Sequence, residues 1–304
     1  MHKNNLHIEE YDFPKLCKVY PPLKESIFRN EHNTQTVNFG FPKAVKAVNT
    51  ALLMAYYNIK FWQFSDLNLC PPIPSRSDYI HYLKDLLEYD FITKNITVLD
   101  IGVGATCIYP ILGNAIYNWK FVGVDIDNDS IYSSQKIIDK NNLKDDIKLR
   151  FQPNKEDILH GIFNEDDYFD ACMCNPPFYS SEQDASEANN RKLKGLGIKN
   201  NGRNFSGVSN ELWYEGGEKA FLHNYLYQSS KYKKQCYWFT SLVSKKENVQ
   251  SMYDSLNLMN VTEIKTIEMS QGHKISRIVA WTFLTSKERE KWAIKSINKK
   301  SNED

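Results

Sequence analysis

Apolar residues recur at three- and four-residue intervals through Pro42-Lys43-Ala44-Val45-Lys46-Ala47-Val48 and on into Ala51-Leu52-Leu53-Met54, which predicts a helix with one buried face. Pro71, Pro72 and Pro74 read as a stiff connector, with a second helix expected from about Ser77 to Leu87. Residues 1–91 therefore read as a helical N-terminal region. From residue 92 the period changes. Short apolar runs alternate with helical segments: Val98 to Ile101, a helix opening near Cys107-Ile108, Lys120 to Asp125, the amphipathic Ile131-Tyr132 to Ile137-Ile138, a further strand, and Tyr168 to Cys174. Such alternation predicts an α/β fold, a mostly parallel sheet with helices on both faces. Val261 to Glu268 and Ile278 to Leu284 are two more β-rich runs, read as an antiparallel pair joined by a loop of about ten residues. No internal repeat is visible.

One stretch breaks the rhythm. Residues 179–212 are rich in Ser, Asn, Gly and charge, and a loop of that length inside a domain is functional or disordered in most cases. It carries Arg191, Lys192, Lys194, Lys199 and Arg203 with no acid between Ala188 and Asn210. A solvated charge run is one reading. Phosphate clamping is the other, and adjacency to the segment just before it favours that second reading.

That segment is Asn175-Pro176-Pro177-Phe178, at the carboxyl end of the Tyr168 to Cys174 strand, where open α/β sheets bind ligands. An amine conjugated to a planar π-system is a poor nucleophile until its lone pair is drawn out of the plane. The Asn175 carboxamide oxygen and the Pro176 carbonyl could each accept one N–H of such an amine, the two prolines fix φ and so keep the acceptors aimed, and Phe178 offers a face for stacking. A turn that merely stops a strand is the competing explanation. Upstream, Asp100-Ile101-Gly102-Val103-Gly104 is a strand running into a glycine turn that admits close ligand approach. The third glycine of the dinucleotide fingerprint is missing and Thr106 follows, which disfavours a nicotinamide cofactor. Asp125 ends the next strand about 20 residues later, the position that accepts ribose hydroxyls in nucleotide-binding α/β folds. Asp127 or Asn128 can cap the following helix, freeing Asp125 for that task.

Composition narrows the picture further. With 304 residues and 41% hydrophobic content the chain can form one large or two small domains. The formal net charge is only +1, so a nucleic-acid footprint has to come from local clusters. Cys17, Cys70, Cys107, Cys172, Cys174 and Cys236 lie mostly within apolar patterns, which suits buried thiols better than disulfides; Cys172 and Cys174 lack the partner ligands of a metal site. No leader and no membrane-length apolar run is seen, so a cytoplasmic protein without membrane contact or metal is expected. Nothing demands more than a monomer.

The segments Leu69 to His81, Asp100 to Pro110, Cys174 to Phe178, Glu211 to Glu218, Trp238 to Ser244 and Gln271 to Arg277 together resemble the ribosomal RNA large-subunit methyltransferase F family, over about Tyr11 to Thr285. The resemblance implies a class I, Rossmann-like methyltransferase with a seven-stranded, mostly parallel sheet ending in an antiparallel pair, preceded by an N-terminal helical extension that binds RNA or covers the cofactor. It implies S-adenosylmethionine as cofactor, S-adenosylhomocysteine as product, and N6 of one adenine in 23S ribosomal RNA, free or in an assembly intermediate, as target. The cofactor contacts it implies are Arg76, Asp100, Gly102, Gly104, Thr106, Asp125, Glu156 and Asn175, with Arg76 facing the methionine carboxylate. Asn175, Pro176, Pro177 and Phe178 carry over as the target-adenine site. A eukaryotic cousin, methyltransferase-like protein 16, acts on U6 small nuclear RNA; two arginines that follow Gln-Gly there are His273 and Ser276 here, and basic character moves to Lys274 and Arg277, as in the bacterial family. Three alternatives stay open: another RNA adenine as substrate, the amide of a glutamine in a translation factor, and an RNA-binding assembly factor without catalysis.

Overall fold

In the computed structural model, which describes residues 1–187, 212–271 and 274–298, seven strands form one sheet. The N-terminal region holds helix α1 (Phe13–Val19), a short 3-10 turn, a hairpin of β1 (Ile27–Arg29) and β2 (Gln35–Val37), and helices α2 (Pro42–Tyr56) and α3 (Ile73–Tyr89). It differs from the expectation in two places. The polar Asn30 to Thr34 turn closes a small antiparallel hairpin inside a region expected to be helical. Pro74 is not part of the connector: α3 begins at Ile73, with proline in its first turn, where the missing N–H is no loss.

Alternation then runs as predicted: β3 (Thr97–Ile101), α4 (Ile108–Tyr117), β4 (Lys120–Asp125), α5 (Asn128–Lys140), β5 (Ile147–Phe151), β6 (Phe169–Cys174), α6 (Gly217–Ser229), β7 (Cys236–Val243), α7 (Lys246–Leu258), β8 (Glu263–Gln271), β9 (Lys274–Thr282) and α8 (Ser286–Asn298). The sheet order is β5-β4-β3-β6-β7-β9-β8, parallel from β5 to β7 and antiparallel at β9 and β8. The expected loop of about ten residues between the last two strands is strand for almost its whole length. Pairing continues out to Gln271 opposite Lys274, and Met269 carries the buried face of Ile267 and Ile278 one step past Glu268.

Side chains of period two divide between two layers. Ala171, Met173, Ile278 and Ala280 join a core on one face, whereas Cys172, Cys174, Val279 and Trp281 join a second core on the other. The first face is covered by Val48 and Leu52 of α2, Tyr79 and Leu83 of α3, and α4 and α5, so the N-terminal region supplies half of one layer. Leu222 and Tyr225 of α6 with Met252 and Leu256 of α7 cover the second. At the amino ends of the strands α8 is pinned through Trp292 to Asp170 (2.7 Å) and Arg289 to Asp90 (2.6 Å). All six cysteines are free and five are buried, as their apolar settings predict. Among the described residues no helix is long and apolar enough to cross a membrane, and no cluster of metal-ligating side chains occurs.

Candidate active site

From β3 the chain winds outward through β4 and β5, then crosses to β6 on the other side of β3. Loops leaving the carboxyl ends of β3 and β6 therefore diverge, and a crevice opens between them. A cavity of about 280 Å³ fills it. Arg76, Gly102, Gly104, Thr106, Asp125 and Glu156 line it, as do Asn175, Pro177 and Phe178.

The glycine turn is built to point its backbone inward. Gly102 (φ 76°) and Gly104 (φ 63°) occupy the left-handed region, which side chains with a Cβ disfavour. The N–H groups of Gly102 and Val103 both donate to the Val124 carbonyl at 2.9 Å, tying the turn to β4. Carbonyls on its far side are satisfied one after another: Gly104 accepts from Ser134 Oγ (2.6 Å), Ala105 from Ser133 Oγ (2.8 Å) and Thr106 from Trp62 Nε1 (2.9 Å). Two of these donors come from α5 and one from the N-terminal region. Asp127 caps α5 through the Ser130 N–H (3.0 Å), which leaves Asp125 to the pocket. Asp125 Oδ2 accepts the Gly104 N–H (2.8 Å) and Oδ1 the Asp127 N–H (3.0 Å), so the carboxylate is held rigid with lone pairs to spare. Burial raises its pKa to about 6 against the pull of those backbone N–H groups.

Around the crevice lies a concentration of unmet polar groups. Among the described residues, five buried side-chain polar atoms lack a hydrogen-bond partner, and four of them are Arg76 Nε, both oxygens of Asp100 and Asn175 Oδ1. Orphans gathered at one crevice mark a ligand site. Arg76 is aimed by α3 and by a 2.7 Å bond from Nη1 to Tyr109 Oη, with the guanidinium 5.5 Å from that ring's centroid. Asp100 is fully buried, and its pKa rises to about 8 through desolvation and the nearby Asp125 charge, against the opposing influence of Arg76. A guanidinium with an unused N–H suits a carboxylate, a buried acid suits an ammonium, and Asp125 suits vicinal hydroxyls. An amino-acid end joined to a ribose, as in S-adenosylmethionine, fits this donor set.

The tetrapeptide leaves β6 over this floor. Behind it the Cys174 N–H meets Tyr79 Oη at 3.4 Å, and Tyr79 shares a 2.8 Å bond with Thr240, which itself donates to the Cys172 carbonyl (2.9 Å). Pro176 is buried behind the wall, while Asn175, Pro177 and Phe178 face the cavity. Leu212, Trp213, Tyr214 and Glu215, none of which the sequence marked as a site residue, form the opposite wall. The Leu212 carbonyl accepts from Phe178 N (3.1 Å) and Tyr179 N (3.0 Å), and Tyr214 N donates to the Tyr179 carbonyl (3.0 Å). Their aromatic content was a signal, but the pairing that brings them beside Phe178 is not local in sequence.

Glu156 stands on the remaining wall with Asp157 and Ile158, in a loop organised by Gln152 and by Gln228 of α6. Glu218, in the first turn of α6, reaches across to the start of α7, where its carboxylate accepts from the Ser244 N–H (2.8 Å) and Asn248 Nδ2 (2.6 Å). Of the predicted RNA contacts, Arg191, Lys192, Lys194, Lys199 and Arg203 lie outside the described residues. Lys274 opens β9. Arg277 pairs with Val243 at the carboxyl end of β7, on the pocket's side of the sheet, with Glu268 at 3.6 Å.

A parallel sheet with its switch-point crevice, a glycine turn and a strand-terminal acid define a class I methyltransferase. A family model described as RNA methyltransferase matches residues 1–285, and the chain belongs to that family. Curated relatives agree in name: ribosomal RNA large subunit methyltransferase F of Flavobacterium psychrophilum is 49% identical, covering 96% of each chain. The protein of that name from Bacteroides thetaiotaomicron is 46% identical over 93% of this chain and 98% of its own. Among solved structures, the catalytic domain of human METTL16 bound to a MAT2A 3′UTR hairpin matches 94% of this chain and 98% of its own, with TM-score 0.77 and 29% identity. The N-terminal domain of human METTL16 in complex with SAH gives the same TM-score at 28% identity, with 94% and 99% covered.

Proposed function

We propose that this enzyme transfers the methyl group of S-adenosylmethionine to N6 of one adenine in 23S ribosomal RNA. The observation that carries the reading is the Asn175 carboxamide oxygen, buried and unpartnered at the end of β6, above a floor whose other orphans suit the cofactor's amino-acid end. The names of the curated relatives support ribosomal RNA as substrate. The hairpin-bound METTL16 neighbour supports RNA as the class of partner.

When bound, the cofactor supplies a methyl group already activated on a sulfonium, so the chain's task is placement. Arg76 and Asp100 hold the amino-acid end, Asp125 the ribose, and the loop at Glu156 flanks the adenine. Asn175 Oδ1 and the Pro176 carbonyl each accept one N–H of the target amine, which turns its lone pair toward the methyl group. Two prolines keep those acceptors from relaxing, and positioning of this kind is a large share of what catalysis by approximation requires. Phe178 stacks on a target base turned out of its helix. Water takes the proton lost after transfer. Arg191, Lys192, Lys194, Lys199 and Arg203, with Lys274 and Arg277, engage RNA phosphates, and the protein acts as a cytoplasmic monomer.

Asn175→Ala tests the reading. It should retain S-adenosylhomocysteine affinity within a few-fold while transfer to RNA falls about 10²–10³-fold, the range for loss of one preorganised polar group. Near-normal turnover would remove the amine cradle.

A further inference from the structure

Helix α6 touches both halves of the pocket with one stripe. Phe221, Asn224 and Gln228 recur at three- and four-residue spacing, so they share a face of the helix. On the cofactor side, Gln228 Oε1 accepts three successive backbone N–H groups, from Ile158 (2.9 Å), Leu159 (2.8 Å) and His160 (3.0 Å). Its Nε2 donates to the Glu156 carbonyl at 2.8 Å and to Asn224 Oδ1 at 3.0 Å. On the base side, Asn224 Nδ2 donates to Tyr214 Oη (3.0 Å) while also reaching the Glu156 carbonyl (2.8 Å). Tyr214 packs edge-on against Phe221 at 5.3 Å and is hydrogen-bonded through its backbone to Tyr179, just past the tetrapeptide.

Two carboxamides on a helix that could have carried apolar residues thus join the loop facing the cofactor to the Leu212–Glu215 segment facing the base. We propose that Asn224 and Gln228 are positioning residues that couple cofactor binding to closure of the Leu212–Glu215 wall on the target base. A ligand that orders the 156–160 loop fixes the Glu156 carbonyl. That carbonyl orients Asn224, and Asn224 sets the Tyr214 hydroxyl and with it the wall opposite Phe178. Coupling of this kind is reciprocal, so RNA should tighten cofactor binding by the same factor.

This inference rests on the proposed RNA methyltransferase reading, and one experiment separates the two. The affinity of in vitro transcribed 23S ribosomal RNA is measured with and without saturating S-adenosylhomocysteine, for the wild type, Tyr214→Phe, Asn224→Asp and the double variant. In the wild type the product should tighten RNA binding by about fivefold or more, the lower range of allosteric coupling. Tyr214→Phe keeps the ring and loses the hydroxyl link, and Asn224→Asp keeps a partner for that hydroxyl but repels the Glu156 carbonyl. Each should reduce the coupling to below about twofold, the double variant should do no more than either single one, and affinity for S-adenosylhomocysteine alone should stay within a few-fold. Coupling retained in both single variants, or a wild type that binds both ligands with no mutual effect, would overturn the proposal. A wild type that binds neither ligand would instead refute the methyltransferase reading beneath it.

Discussion

The two halves of the pocket are built differently. On the cofactor half, the loop from Gly102 to Thr106 is fastened from behind at every step, by Val124, Ser134, Ser133 and Trp62, and Asp125 is fixed by two backbone N–H groups. On the base half, Asn175 keeps an unpartnered oxygen, and the facing wall arrives from a distant segment through three backbone bonds to residues 178 and 179. The first half is preorganised for a small ligand of fixed shape. The second is assembled from two pieces of chain, which suits a macromolecular substrate that must enter, be clamped and leave.

The largest effect expected from breaking this contrast is at Asp125. Asp125→Ala removes the acceptor for two loop N–H groups as well as the proposed ribose contact, and charge-assisted bonds contribute about 1.5–3 kcal/mol each. Affinity for S-adenosylhomocysteine, measured by titration calorimetry, should fall about 100-fold or more, while RNA binding without cofactor is unchanged. Phe178→Ala should do the reverse, weakening RNA binding by about 1–3 kcal/mol, the contribution of one stacked base, with cofactor affinity nearly intact. If Phe178→Ala weakened both ligands equally, the division into halves would fail. Trp62→Phe tests the scaffolding alone. Loss of its bond to the Thr106 carbonyl should cost about 1 kcal/mol of stability in a denaturant titration and a few-fold in cofactor affinity.

A separate effect is read in protons. With its pKa raised from 3.8 to about 8, folded Asp100 holds a proton that the unfolded chain has released, so stability falls as pH rises from about 4 to about 8. An ammonium brought beside it favours the ionised form. S-adenosylhomocysteine binding at pH 7 should therefore release up to about one proton, seen as a dependence of binding enthalpy on buffer ionisation. Asp100→Asn should abolish that dependence and flatten the stability slope in the same window. A proton release that survives in Asp100→Asn would place its source elsewhere.

The cofactor half was readable because its logic is local. Strand, two glycines and a strand-terminal acid lie within 26 residues of one another, from Asp100 to Asp125, and each residue type has few other uses in that order. The tetrapeptide was readable for the same reason. Trp62, Tyr79 and Tyr109 were not singled out, because an aromatic residue in a helix or loop reads as core until its hydroxyl or indole N–H finds a partner far away in sequence. The Leu212 to Glu215 wall was missed through the same non-locality. Gln228 shows a further blind spot: a polar residue at a helix end looks solvated, whereas this one is buried and organises three backbone N–H groups. The β8–β9 hairpin was underestimated because Ser270, Lys274 and Ser276 interrupt its apolar runs where the hairpin extends past the end of β7 and pairs only with itself.

The central claim is that the amine held by Asn175 belongs to an adenine of 23S ribosomal RNA. Purified protein is incubated with methyl-labelled S-adenosylmethionine and ribosomal RNA from cells lacking this gene, and the digested nucleosides are resolved by mass spectrometry. The account predicts label in N6-methyladenosine at one position of the large-subunit RNA, absent from the untreated RNA and not restored by Asn175→Ala. Label in another nucleoside, or in a glutamine side chain of a translation factor with the RNA untouched, would contradict it.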